Sequence, residues 1–276
     1  MTDKPDRRLT PATDRVAHIS LLGKAKAATF TEGDIRQIAL PLADLLRQPN
    51  GARERQLAMG EAFTVIDHAD DHAFGFANKD GYCGWLPDSA LTDGPAPTHW
   101  VSSAGTHLYP EPRVQAREIA ALPMGAQLKV INLTGAWAQT LHGFVPLPHL
   151  CAIGDYLTDP VAVAEGFLGT PYLWGGNSRA GTDCSGLVQL CHLACGKTAP
   201  GDADLQEAMG TAIGDNTPLQ RGDLLFWSGH VALIVDDTRL IHANGHTMSV
   251  AYENTDACIA RILAQNGGPV TERRRL

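Results

Sequence analysis

Apolar residues along this chain come in two textures. From Gln37 to Leu86 they form short runs broken by turn residues: Ile38-Ala39-Leu40, Ala62 to Ile66, Ala73 to Ala77 and Gly84-Trp85-Leu86. Breaks every 8–12 residues, with β-branched and aromatic content, predict a small antiparallel barrel. The texture returns after Asp93–Thr98 in His99-Trp100-Val101, Gln127 to Ile131, Ala136 to Thr140 and Gly143 to Pro146. A weak internal repeat links the two stretches. Met59-Gly60 and Met124-Gly125 each precede an apolar strand, and Gly84-Trp85-Leu86-Pro87 matches Gly143-Phe144-Val145-Pro146. Two copies of one small barrel fit this pattern better than one large sheet. Residues 1–33 read as an arm or edge element.

After Asp155 the period changes. Val161–Leu168 predicts a helix stopped by Gly169 and Pro171. In Asp183–Gly196, Leu187, Leu190, Cys191 and Ala194 fall at i, i+3, i+4 and i+7. They predict a helix capped by Asp183 and ended by Gly196. Gly222–Trp227, His230–Val235, Arg239–His242 and Met248–Tyr252 then read as strands. Helices followed by a run of strands give an α+β fold. The expected division is 1–92 for the arm and first barrel, 97–152 for the second, and 155–276 for an α+β domain.

Charge excludes one class of partner. With 22 Lys+Arg against 30 Asp+Glu the formal charge is −8, which leaves no basic face for a phosphate backbone, so no nucleic acid is expected. No run approaches the roughly 18 apolar residues of a membrane span, and the start carries no export signal, so a cytoplasmic protein without membrane contact is expected. The six cysteines show no paired spacing and read as reduced thiols.

One thiol has chemical promise. Cys184 falls in the first turn of the predicted helix, where the positive end of the dipole and unpaired N–H groups favour a thiolate. His230 opens a strand after Ser228-Gly229, and His242 follows across the Asp236-Asp237-Thr238 turn. If the two runs pair around an odd-numbered loop, both rings project from one face. Nucleophile, base and orienting group would then be present for acyl transfer through a thioester. Such a mechanism needs no metal and no cofactor. Cys191 and Cys195 have helix-core spacing and read as packing residues. Cys191, His192 and Cys195 lack the spacing of a zinc site, and His246 reads as part of the Gly245 turn.

Gly169-Thr-Pro-Tyr-Leu-Trp-Gly-Gly176, Thr182-Asp-Cys-Ser-Gly-Leu187, Gly222-Asp-Leu-Leu-Phe226, Gly229-His-Val231 and Leu240-Ile-His-Ala243 resemble, in order, the NlpC family of papain-like cysteine peptidases that cut bacterial cell-wall peptides. The resemblance covers about residues 155–265. It implies Cys184 as nucleophile, His230 as base, His242 as orienting residue and the Tyr172 hydroxyl as an oxyanion donor beside the Cys184 N–H. Trp174 is expected at the substrate or, alternatively, in aromatic packing ahead of the helix.

With two SH3-like barrels in front, the layout is similar to the dipeptidyl-peptidase VI type. That branch cleaves between γ-D-glutamate and a diamino acid in murein peptides with a free N-terminal L-Ala, for recycling. In it the first barrel closes the pocket. The resemblance implies Glu61 and Tyr82 as its contributions, with Asp183, Ser185 and Asp202 at the amine-binding end. Glu61 reads alternatively as an exposed strand-start carboxylate. Pro200-Gly201-Asp202-Ala203 departs from the family's Pro-Arg-Asp-Ser. Two other readings stand: a wall-peptide-binding module with an inactive peptidase domain, and an amidase or acyltransferase on the same fold.

Overall fold

The computed structural model describes residues 5–276, so Met1–Lys4, the start of the expected first domain, lie outside the described residues. The chain divides into two compact units, Met1–Val101 with Thr106–Ala152, and Ser102–Gly105 with Ile153–Leu276. It is an α+β protein in which strands predominate.

The first unit holds a seven-stranded sheet built from residues 34–92. Its spatial order is Arg53–Ala58, Leu42–Leu46, Cys83–Pro87, His72–Ala77, Ala62–Ala69, Asp34–Ile38, Leu91–Thr92, with every pairing antiparallel. Ile38, Leu45, Leu57, Phe63 and Leu86 make its core, each no more than 1% exposed. Removing such side chains from water drives the closure, at about 1.5–3 kcal/mol apiece. Residues 99–152 form smaller sheets, His99–Val101 between Gln127–Leu128 and Leu150–Ala152, and Val130–Thr134, Trp137–Thr140 and Gly143–Pro146 in a meander. Ala58 and Met59 pack into the second core beside Val101, Leu122 and Leu128. Gly60 makes that contact possible. It sits at φ +78°, and a Cβ there would run into the Gln127 carbonyl.

The arm is part of this unit. Val16–His18 pairs in parallel with Thr29–Thr31. Arg7 grips both Glu54 carboxylate oxygens at 2.6 and 2.7 Å, while Thr13 and Arg15 hold Asp67.

In the second unit, helix α1 (Pro160–Glu165) starts at Asp159, whose side chain accepts from the Val161 N–H. It stops three residues before the predicted end. The chain tightens after Gly166, with Phe167 N bonded to Ala164 O, so Phe167 is buried in a turn. Helix α2 (Cys184–Ala194) has the predicted bounds, with Asp183 as N-cap and Gly196 at φ +71°. Cys191 is fully buried, whereas Cys195 is the half-buried C-cap residue. Its core packing is therefore only partial, because the helix ends one residue before it.

Two further helices follow, α3 (Ala203–Gln206) and α4 (Thr255–Ala264). The strands are β1 (Thr211–Ala212), β2 (Leu224–Trp227), β3 (His230–Ile234), β4 (Arg239–Asn244), β5 (Ser249–Asn254) and β6 (Glu272–Arg275). The sheet order is β1-β6-β2-β3-β4-β5. β2 and β3 are buried at nearly every position: α2 packs on β3, and Leu225, Trp227, Ile234 and Leu240 cluster with Cys258 of α4.

Candidate active site

Cys184 is the first residue of α2 and is 6% exposed. Asp183 fixes the approach to it. Its Oδ1 accepts from the Gly186 N–H at 2.6 Å and from the Ser185 hydroxyl at 3.2 Å, and its Oδ2 accepts from the Gly175 N–H at 2.7 Å. One carboxylate thus ties the start of the helix to the Gly175-Gly176 loop. Gly186 is required by this closeness, since a Cβ would lie 2.5 Å from the Gly176 carbonyl and 2.7 Å from Asn177 Oδ1. Ser185 is buried beside the cap. Gln206 of α3 braces the first turn by donating to the carbonyls of Ser185 and Pro200, each at 2.9 Å.

Tyr172 is set beside this turn by backbone pairing. Its N–H donates to Met248 O, and the flanking Leu173 and Thr182 N–H groups bond to Thr182 O and Pro171 O. Burial pushes the phenol pKa well up, with the nearby Cys184 and Asp183 adding to the shift. The hydroxyl stays protonated and can donate. Trp174 is 69% exposed, which removes the alternative of aromatic packing ahead of the helix. Asp202 is half-buried at the start of α3.

Helix α2 packs on β3 and β4, the strands that carry the two histidines. β3 pairs with β4 through Leu233 opposite Ile241 and Ile234 opposite Leu240. The odd-numbered loop puts His230 and His242 diagonally on one face, as the hairpin arithmetic predicts. His230 Nε2 and His242 Nδ1 are 2.9 Å apart, with ring centroids 5.1 Å apart. His242 is 1% exposed. Burial pushes both imidazoles down, His230 to about 3 with the neighbouring His242 charge as a second cause, and His242 to about 4 against the pull of Glu253. Both rings are therefore neutral at pH 7 in the resting protein. A cavity of about 440 Å³ opens beside His230, bordered by Trp227, Ser228, Asn244, His246 and Arg261. Cys184 is not on its wall.

Two residues of this site escaped the sequence reading. Glu253 of β5 lies 3.2 Å from His242 Nε2 through Oε2. Arg261 of α4 holds that carboxylate with Nε on Oε1 and Nη2 on Oε2, both at 2.7 Å. The signal for Glu253 was its place two residues past Ala251, which faces His242 across the β4–β5 pair. The expected strand stopped at Tyr252, one residue short.

Among the described residues, His242, Glu253 and Cys258 bring donor atoms within 4.8 Å of one another. Arg261 already neutralises that carboxylate and contacts Cys258 Sγ at 3.6 Å, so a cation there would have to displace a guanidinium. His246 sits in the turn after Asn244, as expected, its N–H on Asn244 Oδ1. His192 is buried with Nδ1 on Val188 O.

Glu61 and Tyr82 belong to the first unit. Glu61 is 8% exposed, not an open strand-start carboxylate. It accepts from Lys79 Nζ at 2.7 and 2.8 Å and from the Ala58 N–H. Tyr82 is 3% exposed in the core of residues 34–92. Among the described residues no helix is long and apolar enough to cross a membrane.

Residues 169–265 match the NlpC/P60 family, and residues 45–91 match the bacterial dipeptidyl-peptidase SH3 domain. The chain is similar to the gamma-D-glutamyl-L-lysine dipeptidyl-peptidase of Bacillus cereus, 27% identical over 223 residues, which cover 69% of this chain and 67% of that one. It is also similar to dipeptidyl-peptidase 6 of Lysinibacillus sphaericus, 29% identical over 188 residues, covering 60% and 69%. In fold it resembles an NlpC/P60 family protein from Bacillus cereus ATCC 10987, with a TM-score of 0.76, 21% identity and coverage of 88% of this chain and 99% of that one. With the thiol at a helix start and paired histidines on strands that the helix packs against, these matches identify residues 169–265 as an NlpC/P60 cysteine peptidase domain of papain-like fold, with a bacterial dipeptidyl-peptidase SH3 domain ahead of it at residues 45–91.

Proposed function

We propose that this peptidase hydrolyses the amide between γ-D-glutamate and a diamino acid in murein peptides that carry a free N-terminal L-Ala. The observation that carries the reading is the juxtaposition of α2, which begins at Cys184, with the strands that hold the His230–His242 pair. The name of the Bacillus cereus relative, a gamma-D-glutamyl-L-lysine dipeptidyl-peptidase, supports the substrate class.

The chemistry follows from these groups. His230 takes the Cys184 proton, and the thiolate sulfur attacks the γ-carbonyl carbon. The Tyr172 hydroxyl and the Cys184 N–H donate to the oxyanion. The C–N bond breaks as His230 returns the proton to the departing amine, leaving a thioester on Cys184. Water, deprotonated by His230, then attacks the thioester and releases L-Ala-γ-D-Glu with the thiol restored. Asp183 and Ser185 line the end that receives the substrate ammonium. Asp183 suits that role because it lies beside the nucleophile, where its carboxylate accepts from the Gly175 and Gly186 N–H groups and the Ser185 hydroxyl, while the Glu61 charge is met by Lys79. A cytoplasmic setting for recycling completes the proposal, and six cysteines present as free thiols support a reducing compartment.

The test is digestion of L-Ala-γ-D-Glu-diaminopimelate and its N-acetylated form, followed by mass spectrometry. Acetylation removes the ammonium and leaves a carboxylate unpaired, at about 3–5 kcal/mol, so cleavage should fall by roughly 10²–10⁴-fold. Cys184→Ala should abolish cleavage while leaving the protein folded. Equal rates on the two peptides would refute the free-amine requirement, and cleavage by Cys184→Ala would refute the nucleophile.

A further inference from the structure

We propose that Glu253, clamped by Arg261, is a positioning residue that sets the tautomers of both His242 and His230, and thereby decides which nitrogen of His230 is the base. The inference rests on the reading of His230 as that base.

Each imidazole alone has no fixed direction, because a neutral ring can carry its proton on either nitrogen. Two rings joined Nε2 to Nδ1 at 2.9 Å can pass the hydrogen bond either way. One direction leaves His230 Nδ1 with a lone pair for a thiol proton, and the other leaves it protonated and useless as a base. The pair needs an outside reference. Glu253 supplies it, since an ionised carboxylate only accepts. Arg261 keeps it ionised by its bidentate grip and holds its pKa down at about 2.

The consequences run back along the chain. At 3.2 Å from Glu253 Oε2, His242 Nε2 must carry the proton. His242 Nδ1 is then a lone pair and accepts from His230 Nε2–H. His230 Nδ1 is left bare, the nitrogen that can take a proton from Cys184. The four side chains come from three strands and one helix, β3, β4, β5 and α4, so the order depends on the whole sheet edge. Among the described residues no other charged side chain donates to or accepts from His242, and Arg261 and His246 act on it only through space.

Glu253→Gln is the informative substitution. The amide has one donor end and one acceptor end, while Arg261 presents two donors and His242 Nε2 shares the Oε2 position. No orientation satisfies all three contacts. When the NH₂ faces His242, the ring protonates at Nδ1 and the direction of the His242–His230 bond reverses. Because a positioned base contributes on the order of 10²–10⁴-fold, kcat should drop by about tenfold to a hundredfold with KM little changed.

The experiment is histidine ¹⁵N NMR on the full chain at pH 7, for the parent and for Glu253→Gln, paired with kinetics on L-Ala-γ-D-Glu-diaminopimelate. The parent should show both His230 and His242 protonated at Nε2. Glu253→Gln should show Nδ1 protonation appearing on His242, together with the fall in kcat. A parent protein with His242 protonated at Nδ1 would overturn the inference without any variant, as would a folded Glu253→Gln with parental tautomers and parental kcat. The tautomers are read without turnover, so they answer separately from the Cys184→Ala test of the nucleophile.

Discussion

Replacing Asp183 by alanine removes the acceptor for two backbone N–H groups and one hydroxyl in a place water reaches poorly, since the residue is 6% exposed. Loss of the helix cap at Gly186 costs about 1 kcal/mol. The Gly175 N–H, 2.7 Å from Oδ2, becomes an unpaired buried donor at about 1–3 kcal/mol. The sum is about 3 kcal/mol, carried by the unit that holds Ile153–Leu276. At roughly 2–4 °C per kcal/mol, its unfolding temperature should fall by about 6–12 °C. Urea titration should show a lower midpoint with an unchanged slope. Asp183→Asn should lie between, because one oxygen can still cap Gly186 while the NH₂ opposes the Gly175 N–H. A stability for Asp183→Ala within about 0.5 kcal/mol of the parent, beyond which a substitution counts as more than a surface change, would refute the account of this carboxylate as the tie between helix and loop.

Acid should weaken the same unit. His230 and His242 are held neutral with folded pKa values below the ordinary 6.5, so the unfolded chain binds more protons below that pH. Their contribution is fully present above about 6.5 and is lost as pH falls toward the folded values, by about 3 kcal/mol for the pair between pH 6.5 and 5; flat urea midpoints from pH 7 to 5 would contradict this. In the first unit, Gly60→Ala forces an L side chain into a left-handed backbone against the Gln127 carbonyl. It should cost at least about 1–3 kcal/mol without changing the chemistry at Cys184, and an unchanged melting profile would show that the Gly60–Gln127 approach is not tight.

What the sequence made legible is what local rules determine. The Asp183 cap, the periodic face of α2 and the Gly196 stop lie within fourteen consecutive residues, and the His230–His242 diagonal needs only the length of one turn. Glu253 and Arg261 were missed because their roles depend on a second hairpin register and on the packing of α4. The signal for that helix was Asn254 capping Ala257. β6 is Glu-Arg-Arg-Arg, with no apolar alternation to mark it, and it is held in the sheet by its backbone pairing and by the Arg275–Asp223 ion pair. For Trp174 and Glu61 the sequence left two readings of exposure open, and each was decided against its local expectation. An aromatic ring can stand in solvent at a loop, and a carboxylate can be buried when a lysine eighteen residues on reaches it.

The position of β6 has a consequence for biosynthesis. This strand, Glu272–Arg275, lies between β1 and β2, and Arg275 closes on both oxygens of Asp223, whose side chain is 2% exposed. During translation the nucleophile, both histidines and Glu253 leave the ribosome before it does. Until residue 275 emerges, β2 has an open edge and Asp223 lacks its counter-ion, and both disfavour a closed sheet. The peptidase domain therefore completes its sheet only once residue 275 has emerged, so a nascent chain stalled before residue 272 carries every proposed catalytic group on an unfinished sheet.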